Sequence, residues 1–122
     1  MDAHAALTLT DDNFEAEVKN FSGVVLVDFW AAWCPPCVMM GPMIEQLAQK
    51  YTGNPQIKIA KLDVDAHPAT TQEFGVMSLP TFLIFANGQD VNSIVGAGPV
   101  TKLDEAIQNA LQQLAPATAK AA

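Results

Sequence analysis

The chain alternates between short, fully apolar runs and longer stretches in which apolar residues recur at helical spacing. Val24-Val25-Leu26-Val27-Asp28-Phe29-Trp30 is apolar at odd and even positions alike, which predicts a central strand buried on both faces. Beyond Cys37, residues Met40, Met43, Ile44, Leu47 and Tyr51 recur at i, i+3, i+4, i+7 and i+11, while Glu45, Gln46, Gln49 and Lys50 take the other positions. This is the pattern of an amphipathic helix of about four turns. Pro42 lies inside it and is expected to kink it. Thr52-Gly53-Asn54-Pro55 ends it, and Ile57 to Asp63 reads as a second strand. Strand, helix and strand in this order predict a βαβ unit with parallel strands.

The flanking segments extend this unit. Ala5 to Thr8 reads as a short additional strand after a loose start. Thr10-Asp11-Asp12-Asn13 reads as a helix start, with Phe14, Val18 and Phe21 on one apolar face and Ser22-Gly23 as the stop. A short helix is expected after His67-Pro68, before Phe74. Thr81 to Ala86 and Gln89 to Val95 are β-rich runs separated by Asn87-Gly88, a strong signal for a two-residue hairpin. Thr101 opens a last helix with Leu103, Ile107, Ala110, Leu111 and Leu114 on one stripe, and 115–122 reads as a frayed tail. The expected fold class is α/β: a mixed sheet of four to five strands with helices on both faces. Residues 1–122 read as a single domain, its core over about 5–114.

Composition narrows the function classes. The chain has 122 residues, thirteen acidic against six basic, for a net charge of -7. This argues against nucleic acid or an anionic membrane as the main partner. No apolar run approaches the roughly 20 residues of a membrane span. The start lacks a basic segment followed by an apolar one, so a cytoplasmic setting is expected. In a reducing compartment a lone cysteine pair points to catalysis or metal binding rather than to a structural staple.

That pair is Cys34 and Cys37, the only two cysteines. Cys34 falls at the expected start of the long helix, where unpaired N–H groups and the helix dipole favour an anion. The thiolate is the reacting form of cysteine, which marks Cys34 as the nucleophile toward a substrate disulfide. Cys37, one turn further in, is expected to be more buried and to resolve the mixed disulfide. Pro35 and Pro36 stiffen the loop at positions where a missing N–H costs little. A structural disulfide would close too small a loop to contribute much. Zinc would need about four ligands, and His4 and His67 are poorly placed to complete the set.

Trp30-Ala31-Ala32-Trp33-Cys34-Pro35-Pro36-Cys37 resembles the active-site signature of the thioredoxin family. Val27-Asp28-Phe29-Trp30, Pro42, Ala60 to Asp65, Gly75 to Thr81, Asn87-Gly88 and Val95-Gly96-Ala97 resemble further segments of that family in the same order. The resemblance implies the thioredoxin fold and a thiol–disulfide oxidoreductase that reduces protein disulfides through Cys34 and Cys37. No bound cofactor is implied beyond the redox-active Cys34–Cys37 disulfide. Electrons would come from NADPH through a separate thioredoxin reductase, with disulfide-containing proteins as the other partners and a monomeric state. The resemblance makes Asp28 the buried acid that helps deprotonate Cys37, and Lys61 the residue that tunes it. It makes Pro80 a cis proline facing the disulfide. Trp33, Met77, Leu79, Pro80, Gly96 and Ala97 become the substrate-docking surface, with Trp30 as support for the loop.

Two positions depart from the family pattern. Pro35 replaces a usual glycine, and Val38 stands where a basic residue is frequent. Both bear on the redox poise, with a potential expected to be ordinary or more reducing. An oxidase or isomerase with shifted potential, or a binding module on the same fold, are the alternative readings.

Overall fold

In the computed structural model, which describes the backbone of residues 5–121 and the side chains of 5–114, five strands form one mixed sheet. The strands are β1 (Leu7–Leu9), β2 (Val24–Trp30), β3 (Ile57–Asp63), β4 (Thr81–Ala86) and β5 (Gln89–Val95), and the helices are α1 (Pro35–Lys50), α2 (Pro68–Glu73) and α3 (Val100–Ala121). The sheet order is β1-β3-β2-β4-β5. β1 and β2 both run parallel to β3, while β4 runs antiparallel to β2 and β5 antiparallel to β4. β2 is thus the middle strand, buried at every position except Trp30, as its two-sided apolar run predicts.

The period of two along β2 divides the core. Val24 and Leu26 pack with Met40, Ile44, Leu47, Leu103 and Ile107 of α1 and α3. Val25, Val27 and Phe29 pack on the opposite face with Phe14, Val18 and Phe85, with Phe74 packed alongside. Asp28 shares the parity of Val24 and Leu26, so it points to the face that α1 covers.

Several details differ from the sequence expectation. The first helical segment is a π-helix, Glu15–Lys19, in which Asn20 N–H reaches Glu15 O at 2.9 Å. Of Phe14, Val18 and Phe21 only Val18 lies inside it, and a segment of about one turn is too short for the apolar period to reveal its winding. Its entry is a reciprocal pair, with Asn13 N–H donating to Thr10 Oγ1 (3.0 Å) and Thr10 N–H to Asn13 Oδ1 (2.7 Å). Asp11 does not serve that helix. Its carboxylate instead accepts from Thr70 N–H (2.8 Å), Thr70 Oγ1 (2.7 Å) and Ala69 N–H (3.3 Å), capping α2 from a distance. These bonds, chiefly the one from the Thr70 backbone, hold its carboxyl below the usual range. α1 runs as one helix through Pro42, whose absent N–H frees one carbonyl without ending the helix. β1 begins at Leu7 rather than Ala5, and α3 begins at Val100. The backbone of α3 continues past Leu114, helped by the high helix propensity of Ala115, Ala117 and Ala119. The side chains of the tail expected at 115–122 lie outside the described residues, as do residues 1–4 of the loose start.

The β4–β5 turn has Asn87 at φ 50° and Gly88 at φ 80°, the left-handed pair a tight hairpin requires. Its tip is tied back to the start of β2, Asn87 N–H donating to Gly23 O at 2.8 Å and Gly23 N–H to Asn87 Oδ1 at 3.0 Å.

Candidate active site

The two cysteines lie where β2 ends and α1 begins. Cys34 is the N-cap of α1, in extended conformation, and its Sγ accepts the Cys37 N–H at 3.3 Å. Cys34 N–H donates to Ala31 O, and Cys34 O accepts from Val38 N–H. Pro35 and Pro36 occupy the first helical positions and bring no N–H. The Cys37 amide is therefore the donor that the first turn of α1 supplies to the Cys34 sulfur. The family's usual glycine at position 35 would add an N–H, but the bond to Sγ here comes from Cys37 and does not depend on it. The sulfurs are joined as a disulfide, with a Cα–Cα separation of 5.3 Å. Residue burial does not separate the two: Cys34 is 4 % exposed and Cys37 3 %. The expected contrast in depth is absent because Cys34 folds back over the first turn as its cap. Pro35, Pro36 and Val38 are exposed around them.

Beneath the loop, on the α1 side of the sheet, lies a small group of charges. Asp28 is 1 % exposed, and its Oδ1 has no hydrogen-bond partner among the described residues. Burial pushes its pKa up to about 7; Lys61 pulls it down and Glu45 pushes it further up. Lys61 stands opposite Asp28 in the parallel register of β2 and β3. Its Nζ lies 4.7 Å from the centroid of the Trp30 ring and 3.9 Å from Glu45 Oε2. Glu45 Oε1 accepts the Ala6 N–H at 2.9 Å. Glu45 thus faces the sheet edge rather than solvent, contrary to the helical pattern.

The third part comes from the β4 entry. The Leu79–Pro80 peptide bond is cis. Leu79 packs against the cluster of Ala31, Cys34 and Cys37, together with Trp30 and Val64. Pro80 O accepts the Gly96 N–H at 2.8 Å, and Thr81 Oγ1 donates to Ser78 O at 2.6 Å. These bonds bring Leu79, Pro80 and Gly96 to the cysteine loop. Ala97 follows Gly96 on the surface and lines a groove of about 130 Å³ with Met40, Phe82 and Lys102. Trp33 is 67 % exposed and donates from Nε1 to Asp65 Oδ2 at 2.7 Å. That bond fixes an otherwise free indole; Asp65 ends a segment that resembles the family, but no role for it followed from the sequence. Met77 is 94 % exposed and lies outside the cluster that joins Leu79 to the cysteines. Around a disulfide whose flanking Trp33, Pro35, Pro36 and Val38 are exposed, the arrangement offers an anion-stabilising helix start, a buried acid and an apolar rim, features that suit two-electron exchange between sulfurs.

Comparison with known proteins gives the same picture over most of the chain. The family model for thioredoxin matches residues 5–109. Thioredoxin 2 of Chlorobaculum tepidum is 52 % identical over 102 residues, covering 80 % of this chain and 92 % of the relative. Thioredoxin of Alicyclobacillus acidocaldarius is 43 % identical over 108 residues, covering 88 % and 100 %. Thioredoxin 1 of a Nostoc species is 42 % identical over 107 residues, covering 88 % and 98 %.

Proposed function

The chain belongs to the thioredoxin family and is a thiol–disulfide oxidoreductase, and on that footing we propose that it reduces protein disulfides, with Cys34 as nucleophile and Cys37 as resolving thiol. The observation that carries the assignment of roles is the capping geometry. Only Cys34 sits outside the first turn of α1, with its sulfur receiving a helix N–H. A thiolate there gains the stabilisation of an anion at a helix start, about 0.3–1 kcal/mol in exposed settings and more when partly buried.

The reaction then runs in two balanced steps. The Cys34 thiolate attacks one sulfur of the substrate disulfide, forms a mixed disulfide and expels the other substrate sulfur as thiolate. Cys37 gives its proton to Asp28 and attacks Cys34 Sγ. The Cys34–Cys37 disulfide forms, the second substrate thiolate leaves, and two electrons have passed to the substrate. A carboxyl with its pKa raised to about 7 is matched to a proton transfer at neutral pH. Lys61 tunes that acid from β3. Trp33, Met77, Leu79, Pro80, Gly96 and Ala97 form the docking surface, on which an extended substrate pairs with backbone beside Pro80. Two electrons return the disulfide to the dithiol, from NADPH through a separate thioredoxin reductase. The protein acts as a monomer in the cytoplasm; no helix among the described residues is long and apolar enough to cross a membrane.

Trapping tests the roles. The Cys37→Ser variant accumulates a covalent complex with a disulfide-containing protein, and dithiothreitol releases it. The Cys34→Ser variant forms no such complex and reduces nothing. Retained reductase activity in Cys34→Ser would contradict the assignment of Cys34 as nucleophile, and a biological function that survives Cys34→Ser would favour a binding module.

A further inference from the structure

Glu45 is a largely buried carboxylate that the two-step scheme leaves unused. Its side chain is 14 % exposed. It belongs to α1, about two turns beyond Cys37, and it is anchored at one oxygen by the Ala6 N–H. Its other oxygen faces Lys61 Nζ, and Lys61 is also the residue opposite Asp28 in the strand register, whose charge acts on that carboxyl. One cation therefore serves two carboxylates. One of them is hydrogen-bonded and ion-paired; the other has an oxygen without a partner.

The surroundings of Asp28 contain few other charges. From β3 comes Lys61, from α1 comes Glu45, and β4 presents Phe82 opposite. Asp63 and His67 line the same pocket as Glu45, Lys61 and Trp30, a space of about 450 Å³. A negative charge on Glu45 acts on Asp28 in two ways of the same sign. It repels a second anion directly, and it keeps the Lys61 ammonium paired elsewhere.

We propose that Glu45 is a positioning residue of the exchange reaction, holding Lys61 in an ion pair apart from Asp28 and so setting the pH range in which Asp28 can accept the Cys37 proton. The proposal rests on the reading of Asp28 as that acceptor.

The test uses the full chain carrying Glu45→Gln, in which the amide oxygen still accepts from Ala6 N–H. Two quantities are followed against pH: the carboxyl ¹³C shift of Asp28 in the oxidised protein, and the rate at which Cys37 resolves a preformed mixed disulfide between Cys34 and substrate, a step that does not need Cys34 as a thiolate. In Glu45→Gln the Asp28 midpoint falls by about half a pH unit or more, and the acid limb of the rate moves down with it while the plateau is kept. A folded Glu45→Gln protein with an unmoved midpoint overturns the proposal. Lys61→Gln, which leaves Glu45 in place, raises the midpoint. Combined with Lys61→Gln, the Glu45 substitution shifts it less than in the parent, whereas an equal shift would overturn the role assigned to the ion pair. Asp28→Asn separates the two readings. Loss of the acid limb in that variant supports Asp28 as acceptor whatever Glu45 does, while a limb that persists overturns the Asp28 reading and this proposal with it.

Discussion

Among single residues, Asp28 carries an evident cost: it is buried, one of its oxygens has no partner among the described residues, and its pKa is raised. A carboxylate sealed in a β-strand without a partner for one oxygen destabilises the fold whenever it is ionised. The sign follows from proton binding. Well below pH 3.8 the carboxyl is protonated in both folded and unfolded chains, and nothing is lost. As pH rises from the ordinary value of 3.8 towards the folded value of about 7, the unfolded chain gives up its proton first, and stability falls. Above 7 the loss is complete, at roughly 4 kcal/mol for a shift of about three pH units. Replacing Asp28 by Asn should therefore raise the unfolding free energy of the oxidised protein more at pH 8 than at pH 4, by about 2–4 kcal/mol. Denaturant titrations at the two pH values measure this. Equal effects at both would mean that Asp28 is not a raised acid. Such a cost at a neutral working pH fits a residue kept for chemistry rather than for packing.

At the scale of elements, the active loop is a junction. β2 is long enough to carry Trp30 out of the core, and the two prolines let α1 start at once, with Cys34 as its cap. Val38, exposed on that first turn, contributes no charge to the thiolate, so the Cys37 amide and the helix dipole carry its stabilisation. The hairpin at the other end of the sheet is held just as locally. A Cβ on Gly88 would lie 2.2 Å from Lys19 O, while one on Gly53, at a similar positive φ, meets nothing within 4 Å. Gly88→Ala should then lower stability by about 2–4 kcal/mol and Gly53→Ala by about 1 kcal/mol. Thermal or denaturant unfolding distinguishes them, and equal costs would show that the hairpin tip does not press on the π-helix. The elements that periodicity described well are β2, α1, β3 and the hairpin, because burial on two faces, a three-to-four repeat and Asn-Gly each have one dominant structural solution. The π-helix was not legible, since a segment of about one turn with one buried residue, Val18, carries no period of its own. The remote cap of α2 by Asp11 joins segments far apart in sequence, and local reading gave that carboxylate to the nearer helix.

At the scale of the whole molecule, the chain order of strands and helices was enough to expect a mixed sheet with the cysteines beyond the end of its central strand. The cysteine pair and the acid in β2 were legible because each breaks an otherwise apolar context. Glu45 and Asp65 were not, because a carboxylate on a helix or in a turn reads as solvated until a neighbour from another element is known. For Glu45 that neighbour is Lys61 on β3, and for Asp65 it is the indole of Trp33 on the active loop. The assembled site has a shallow apolar rim rather than a deep pocket, which suits protein substrates that present a disulfide on an extended segment.

The central claim is that the Cys34–Cys37 couple works as a reductant of protein disulfides, with Pro35 and Val38 in its loop. Equilibrium titration of that couple against thiol–disulfide buffers, read by tryptophan fluorescence, measures its potential directly. A midpoint below the cytosolic glutathione poise is expected. A midpoint at or above that poise would contradict the claim and make the protein an oxidase or isomerase of the same fold.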